Sequence, residues 1–209
     1  MSDHAKHQRI GIFGGTFDPV HYGHLLLAET CREQLNLDSV VLLPAGSPPH
    51  KSDSDISPAS HRLEMLKLAV SGCPEFQIDE RELKREGPSY TVLTLQELSS
   101  EQPDSTLYFL MGADSLRDIP GWKDPQQILQ LATVVAVNRP GIPLPETAEV
   151  RVWAGDLADS IQVIQTLGTD LSSSTLRSQV AANLSIRFMT PRAVGVYIEQ
   201  HELYRTAAS

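Results

Sequence analysis

The chain contains, at residues 14–24, the stretch Gly14-Gly15-Thr16-Phe17-Asp18-Pro19-Val20-His21-Tyr22-Gly23-His24. A short apolar run from Ile10 to Phe13 precedes this stretch, and apolar residues at helical spacing follow it from Leu25 to Leu35. This order predicts a strand, a glycine-rich loop and a helix. Open parallel sheets bind their ligands at such loops, because the carboxyl end of a strand and the amino end of a helix meet there.

The residues of this loop are typical of an anion site. Gly14 and Gly15 let backbone N–H groups approach an anion closely, and the helix that follows adds its positive amino end. The loop matches neither GxGxxG nor GxxxxGK followed by Ser or Thr, which excludes the dinucleotide fingerprint and the P-loop.

His21 and His24 are one helical turn apart, so both can face the same phosphate if the helix begins near His21. Alone, such a pair is more often one capping and one surface histidine. A metal pair is a further alternative, but no third ligand lies nearby in the sequence. The glycine-rich loop directly before the pair favours phosphate binding.

Apolar runs of strand length alternate with helical patterns along the chain. We predict strands at Ile10–Phe13, Val40–Leu43, Phe76–Ile78, Thr106–Met111, Thr133–Val137, Val150–Trp153 and Ile161–Ile164. We predict helices at Leu25–Leu35, Arg62–Ser71, Tyr90–Ser99, Pro125–Leu131, Thr175–Ala182 and Ala193–His201. This alternation predicts the α/β class, with a doubly wound (Rossmann-like) parallel sheet and helices on both faces.

Composition limits the protein classes that fit. The chain has 209 residues, 41% hydrophobic and 21% charged, which is ordinary for a folded domain. We expect a single domain over residues 1–209, with a polar tail at 1–8 and a C-terminal helical part at about 171–209. The net charge of -9 lacks the basic footprint of a nucleic-acid binder, so we expect no nucleic-acid partner.

The apolar runs are short, and the two cysteines form no CxxC pair. No run approaches the roughly 18 residues of a membrane span, and no apolar signal segment precedes Ile10. We therefore expect no membrane partner and a cytoplasmic location. Cys31 and Cys73 both lie in stretches with a helical pattern, and we expect both to be buried, inert thiols.

The stretch at residues 14–24 resembles the (T/H)xGH signature of the nucleotidyltransferase superfamily. Other strings occur in the order found in the bacterial nicotinate-nucleotide adenylyltransferases, so that the resemblance spans nearly the whole chain. They are Pro48-Pro49-His50-Lys51, Ser89-Tyr90-Thr91, Gly112-Ala113-Asp114, Trp122 and Leu171-Ser172-Ser173-Ser174-Thr175-Leu176-Arg177. The last string resembles ISSTxxR, with Leu171 for Ile and Ser174 for Thr, and both replacements preserve the chemistry.

The resemblance implies adenylyl transfer from ATP to nicotinate mononucleotide, which gives deamido-NAD and pyrophosphate in NAD biosynthesis. Mg²⁺ would arrive with ATP, so we expect no metal site of the protein's own, and Asp18 is expected to shape its loop. Two alternatives stay open: another acceptor, such as nicotinamide mononucleotide or phosphopantetheine, and a non-catalytic nucleotide sensor. Ser89-Tyr90-Thr91 with Trp122 argues against phosphopantetheine, and a sensor would be expected to lack a motif histidine or arginine. The oligomeric state is not predicted.

The resemblance also implies which residues act. We expect four catalytic residues, which are His24, His21, Lys51 and Arg177. We expect ATP to contact Gly14, Gly15, Thr16, Phe17, His21, His24, Gly112, Asp114, Ser173, Ser174 and Arg177. We expect nicotinate mononucleotide to contact Thr16, Lys51, Ser89, Tyr90, Thr91, Trp122, Lys123 and Arg139. His50 is a further candidate that assists Lys51.

Physical reasons support several of these roles. Ser173 and Ser174 lie just before a predicted helix, where hydroxyls and backbone amides bind phosphate, and Arg177 follows one turn later. A carboxylate at a strand's carboxyl end, such as Asp114, can accept hydrogen bonds from ribose. Thr91 begins a helix, where a free N–H suits the nicotinate carboxylate.

Each role has a purely structural alternative. Trp122 could fill the core instead of stacking on the nicotinate ring. The serines could simply cap a helix beside a surface arginine, and Asp114 could form a turn. A loop lysine such as Lys51 is usually only solvated.

Overall fold

The computed structural model describes residues 7–47, 56–113, 115–138, 147–166 and 169–205, with the backbone alone at residues 147 and 148. Six parallel strands form one sheet in this part of the chain. They are β1 (Arg9–Gly15), β2 (Ser39–Pro44), β3 (Phe76–Ile78), β4 (Thr106–Gly112), β5 (Thr133–Asn138) and β6 (Ile161–Gln165). Just before β1, the Gln8 carbonyl accepts the N–H of Thr106.

The strand order is β3-β2-β1-β4-β5-β6. Phe13 of β1 pairs with Leu42 on one side and Leu110 on the other. The chain winds from β1 outward through β2 and β3, then returns to the other side of β1 with β4. This reversal opens a crevice at the carboxyl ends of β1 and β4, where doubly wound sheets bind ligands. The predicted fold class is confirmed.

Helices cover both faces of this sheet. They are α1 (Tyr22–Gln34), α2 (Ala59–Val70), α3 (Arg81–Lys84), α4 (Thr91–Glu101), α5 (Pro125–Leu131), α6 (Thr147–Ala154), α7 (Ser173–Ala181) and α8 (Arg192–Gln200). Short 3-10 turns lie at Ser115–Arg117, Ile119–Gly121 and Gly155–Ser160. None of the helices in the described ranges has the length and apolar character needed to span a membrane.

The strand predicted at Val150–Trp153 is wrong, because these residues belong to helix α6. In the structure Val150 and Ala154, four residues apart, are both buried, whereas Val152 is 89% exposed. Burial of one helical face therefore overrides the strand propensity of the valines.

The core has two parts, one on each face of the sheet. In β2, Val41 and Leu43 join the part covered by α4 and α5, and Val40 and Leu42 join the part covered by α1, α2 and α8. This alternation is the ordinary consequence of strand geometry. Both faces are apolar, which explains the continuous apolar runs in the sequence.

The two cysteines differ in exposure. Cys31 lies within α1 and is buried, and burial raises the pKa of its thiol to about 12. Cys73 is exposed, so the expectation that it is buried is wrong. It follows Gly72, whose φ of +84° lies in the left-handed region, and helix α2 ends at Val70, one residue earlier than predicted.

Candidate active site

His21 and His24 lie together at the amino end of α1. His21 is the residue before the helix, and its backbone N–H donates to Nδ1 of His24 over 3.3 Å. The two imidazole rings stack with centroids 3.7 Å apart. His21 is only 2% exposed, while His24 is half-buried. The helix begins at Tyr22, three residues before the predicted start at Leu25 and directly after His21, and this start brings the two rings side by side.

Gly23 makes room for the first of these rings. A Cβ at this position would lie 2.9 Å from Nδ1 of His21 and 3.1 Å from Oγ1 of Thr169. Real Cβ atoms do not approach so closely without displacing a neighbour. The glycine between the two histidines is thus required by packing against the His21 ring and the segment before α7.

The serine-rich string, which is the segment from Leu171 to Arg177, packs directly against the glycine-rich loop at residues 14–24. Ser172 caps helix α7, with its Oγ accepting the N–H of Thr175 over 3.1 Å. The Ser173 hydroxyl donates to the Pro19 carbonyl over 2.9 Å, and Nη1 of Arg177 donates to the Asp18 carbonyl over 2.7 Å. The two strings that the sequence analysis assigned to phosphate are therefore in contact, although about 150 residues separate them in the chain.

A small cavity of about 110 Å³ lies at the carboxyl ends of β1, β2 and β4. Its walls are formed by Ile12, Gly14, Gly15, Leu43, Ala45, Glu82, Ser89, Thr91, Thr94, Leu95, Phe109 and Trp122. Five of these residues were predicted from the sequence: Gly14, Gly15, Ser89, Thr91 and Trp122. The cavity thus adjoins the glycine-rich loop, and α4 begins at its wall with Thr91.

Trp122 contributes an aromatic face to this cavity and also packs against the core. Its ring meets the ring of Phe109 edge to face, with centroids 6.0 Å apart and planes at 74°. The indole N–H is buried and has no hydrogen-bond partner among the described residues. The core-filling and ligand-facing interpretations of Trp122 are therefore compatible.

Some of the other predicted residues are described by the structure, and the rest lie outside the described residues. Tyr90 precedes α4, and the Lys123 ammonium lies 4.8 Å from the centre of its ring. Gly112 ends β4 beside Val137. Lys51, Asp114 and Arg139, with Pro48, Pro49 and His50, lie outside the described residues.

Comparisons with known proteins agree with this geometry. The chain matches the family described as Cytidylyltransferase-like over residues 12–179. A protein of Thermomicrobium roseum is 45% identical over 199 residues, which cover 95% of this chain and 92% of the relative. A protein of Roseiflexus sp. is 46% identical over 198 residues, which cover 94% and 98%. Both carry the name "Probable nicotinate-nucleotide adenylyltransferase".

The chain belongs to the nicotinate-nucleotide adenylyltransferase family. Two solved structures of the Plasmodium falciparum nicotinic acid mononucleotide adenylyltransferase, one complexed with APC and one with NaAD, each superpose with a TM-score of 0.75. Their identities are 18% and 19%, and each match covers 95% of this chain and 98% of the other. At this identity the likeness shows a shared fold.

The chain also has a buried acid that the sequence analysis missed. Glu82 is 7% exposed, lines the cavity, and accepts the Thr94 hydroxyl over 2.7 Å. Arg85 donates to the same hydroxyl oxygen over 3.0 Å. Burial raises the pKa of Glu82, while hydrogen bonds from Thr94 and Ser89 oppose the rise. In the sequence, Glu82 lies in a run of alternating charges, which is typical of a solvated helix face.

Gly46 fits closely beside this acid. A Cβ at position 46 would collide with the backbone carbonyl oxygen of Glu82. The N–H of Gly46 donates to Oγ of Ser89 over 3.0 Å. The end of β2, the short helix α3 and the start of α4 therefore meet at one point below the cavity.

Arg62 is a second buried charge that the sequence did not indicate. It is 2% exposed, and its guanidinium donates to the carbonyls of Thr16, Ala45 and Ser57 over 2.8 to 3.0 Å. Burial lowers the pKa of Arg62, and the charge of Asp18 opposes this effect. Arg62 thus joins three loops at the carboxyl edge of the sheet.

Proposed function

We propose that the chain transfers the adenylyl group of ATP to nicotinate mononucleotide, giving deamido-NAD and pyrophosphate in NAD biosynthesis. The names of its relatives support the reaction. The observation that carries the proposal is the cavity beside the glycine-rich loop, because Gly14 and Gly15 begin that loop and also form a cavity wall. An acceptor in the cavity would lie next to a phosphate held by the loop.

The reaction proceeds by in-line attack of an acceptor phosphate oxygen on the α-phosphorus of ATP. One P–O bond forms as the bond to the β-phosphate bridging oxygen breaks, and pyrophosphate leaves with that electron pair. The attacking oxygen is already an anion, so the enzyme needs no general base and no covalent intermediate. Its work is positioning and stabilisation of charge on the oxygens.

On the ATP side, we assign the charge-stabilising donors to His21, His24, Lys51 and Arg177. The contacts of Ser173 and Arg177 with the loop support this assignment, since they bring the amino ends of α1 and α7 to one place. Helix amino ends attract anions. We assign the other ATP contacts to Gly14, Gly15, Thr16, Phe17, Gly112, Asp114 and Ser174.

On the acceptor side, Trp122 stacks on the nicotinate ring and the first N–H groups of α4, near Thr91, receive its carboxylate. The positions of both residues in the cavity wall support this assignment. We assign further acceptor contacts to Thr16, Lys51, Ser89, Tyr90, Lys123 and Arg139.

Mg²⁺ enters this proposal as part of the substrate, bound to the ATP phosphates. Both carboxylate oxygens of Asp18, the acid within the loop, already accept hydrogen bonds from Ser57 and Tyr204. Within the described ranges no three His, Cys, Asp or Glu side chains gather to hold a metal ion.

We place the reaction in the cytoplasm, with small-molecule substrates and no nucleic-acid partner. We assign it to one domain, because Val194 and Ile198 of α8 share a core with Phe13.

A side-by-side assay tests the proposal. Pyrophosphate release from ATP and Mg²⁺ is measured with nicotinate mononucleotide, nicotinamide mononucleotide and phosphopantetheine as acceptors. We expect nicotinate mononucleotide to give the highest kcat/KM. A higher value with another acceptor would change the assigned substrate. ATP binding without pyrophosphate release from any acceptor would instead indicate a nucleotide sensor.

A further inference from the structure

Three consecutive carbonyl groups of the glycine-rich loop are each bound by a side chain from the last third of the sequence. The donors to Asp18, Pro19 and Val20 are, in order, Nη1 of Arg177 at 2.7 Å, Oγ of Ser173 at 2.9 Å and Oγ1 of Thr190 at 2.7 Å. Two of these donors belong to the serine-rich string. The third, Thr190, belongs to no motif of the sequence analysis, and it binds the residue directly before His21.

The carboxylate of Asp18 adds a fourth connection. Its Oδ1 accepts the Tyr204 hydroxyl over 2.6 Å, and its Oδ2 accepts the N–H of Ser57 over 3.0 Å. Asp18 is 2% exposed, so this pair of hydrogen bonds is shielded from water. Burial and the charge of Asp18 both raise the pKa of Tyr204, which keeps the phenol protonated and able to donate.

Thr190 and Tyr204 lie on either side of helix α8. Thr190 is 4% exposed and precedes the helix by two residues, whereas Tyr204 follows its end by four. Between them, Val194 and Ile198 anchor α8 in the core. The helix therefore presents one hydroxyl donor to the loop from each of its ends.

We infer that Thr190 and Tyr204 are positioning residues for adenylyl transfer, which fix the loop that carries His21 and His24. The inference rests on the proposed function for its kinetic consequences. Neither residue lines the cavity of the acceptor. They act through the loop: Thr190 fixes the carbonyl of Val20, one residue before His21, and Tyr204 fixes Asp18, three residues before it.

Small displacements of such a loop have large kinetic effects. A misplacement of about 1 Å can reduce a rate by about 10²-fold, because transfer requires reacting atoms and donors in line. Loss of either hydroxyl removes one of several contacts with the loop, so we expect a smaller loss, of about tenfold in kcat. The acceptor cavity is untouched, and its KM should stay within about twofold.

The test compares four variants of the full chain by steady-state kinetics and thermal unfolding. Tyr204→Phe and Thr190→Val each remove one hydroxyl and keep the shape of the side chain. Thr190→Ser keeps the hydroxyl. Tyr197→Phe is the matched control, because Tyr197 lies on α8 between Thr190 and Tyr204, but its hydroxyl bonds to Nδ1 of His61, at 2.9 Å, away from the loop.

We expect Tyr204→Phe and Thr190→Val to lower kcat about tenfold at an unchanged acceptor KM, with Thr190→Ser and Tyr197→Phe within about threefold of the parent chain. Equal kcat for Tyr204→Phe and Tyr197→Phe would overturn the role of Tyr204. A loss in Thr190→Ser as large as that in Thr190→Val would overturn the role of Thr190, since the hydroxyl is retained.

A measurement that does not depend on catalytic activity separates this inference from the proposed function. The imidazole ring resonances of His21 and His24 are followed by NMR in the chain without substrates, assigned from single His→Asn variants. We expect both resonances to shift in Tyr204→Phe and Thr190→Val but not in Tyr197→Phe. Unshifted rings would overturn the inference. An inactive parent chain whose rings still shift would overturn only the proposed reaction.

Discussion

The ring of Phe17 meets the ring of His24 edge to face, with centroids 5.1 Å apart and planes at 70°. Phe17 has a φ of 50°, in the left-handed region, and its side chain is 1% exposed. The loop thus packs the buried phenyl ring of Phe17 against the imidazole of His24. The imidazole of His21 stacks on the same His24 ring. His24 is therefore oriented before any substrate arrives, as a preorganised donor to a transition state must be.

Replacing His24 should affect turnover more than binding. We expect His24→Ala to lower kcat by about 10² to 10³, the scale of losing one preorganised donor, with the acceptor KM nearly unchanged. Steady-state pyrophosphate release measures both quantities. The exposed His201 is a suitable control, and His201→Ala should retain the parent rate. A loss in His24→Ala confined to KM would contradict the assignment.

Arg177 should matter both for ATP binding and for transfer. One N–H of its guanidinium donates to the Asp18 carbonyl, and we expect its other N–H groups to bind polyphosphate in the proposed complex. We expect Arg177→Ala to lower kcat/KM for ATP about 10- to 100-fold, the equivalent of one charge-assisted hydrogen bond. Arg192→Ala, at an exposed arginine, is the control. An unchanged rate in Arg177→Ala would remove Arg177 from the site.

Trp122 should contribute to acceptor affinity. We expect Trp122→Ala to weaken acceptor binding by about 1–2 kcal/mol through lost stacking and apolar contact, with a smaller effect on ATP. Titration calorimetry with each substrate separates the two. Trp153, which packs on the same core outside the cavity wall, provides the control variant Trp153→Ala. If Trp122→Ala lowers only the melting temperature, the residue is a core filler.

The enzyme should prefer the acid to the amide. Replacing the nicotinate carboxylate by an amide forfeits charge-assisted hydrogen bonds at the amino end of α4, each worth about 1.5–3 kcal/mol, and places an NH₂ group against donors. We expect kcat/KM for nicotinate mononucleotide to exceed that for nicotinamide mononucleotide by at least about 10²-fold, or ~2.7 kcal/mol. A ratio within tenfold would show a site of dual specificity.

Glu82 should make stability depend on pH. Burial raises its pKa in the folded chain above the unfolded value of about 4.3. The folded state then binds the proton more tightly, so the stability that Glu82 contributes is fully present below the unfolded pKa and is lost as pH rises through the folded pKa. Glu82→Gln removes this titration.

The unfolding free energy of Glu82→Gln minus that of the parent chain should therefore increase from about pH 4 upward. Urea unfolding at several pH values measures it. Glu86→Gln, at an exposed position of the same segment, is the control variant. A pH-independent difference for Glu82→Gln would contradict the buried ionisation.

Local sequence patterns predicted the sheet well, because the buried strands β2, β4 and β5 are nearly continuous apolar runs. Each of the six strands contains one predicted run. The error at Val150–Trp153 arose where four residues fit a strand and a helix equally well. Tertiary burial of Val150 decided between them.

Sequence reasoning found the candidate-site residues that belong to local motifs. It missed those residues whose place in the site depends on contacts between distant parts of the chain. The glycine-rich loop and the serine-rich string stand out in the sequence because their spacing is itself the signal. Glu82 and Arg62 look like surface charges, because no pattern in the neighbouring sequence indicates that other parts of the chain bury them. The catalytic and binding roles of all the site residues stay predictions, and Lys51, Asp114 and Arg139 also lie outside the described residues.

The hydrogen bonds that Ser173, Arg177, Thr190 and Tyr204 donate to the loop join residues 154 to 186 positions apart. Contacts of such high sequence separation form late in folding, because a long stretch of chain must first be ordered to bring their partners together. A folding intermediate with β1 and α1 in place would therefore still lack the donors from α7 and from both sides of α8. Catalytic competence should thus be among the last properties that the folding chain acquires.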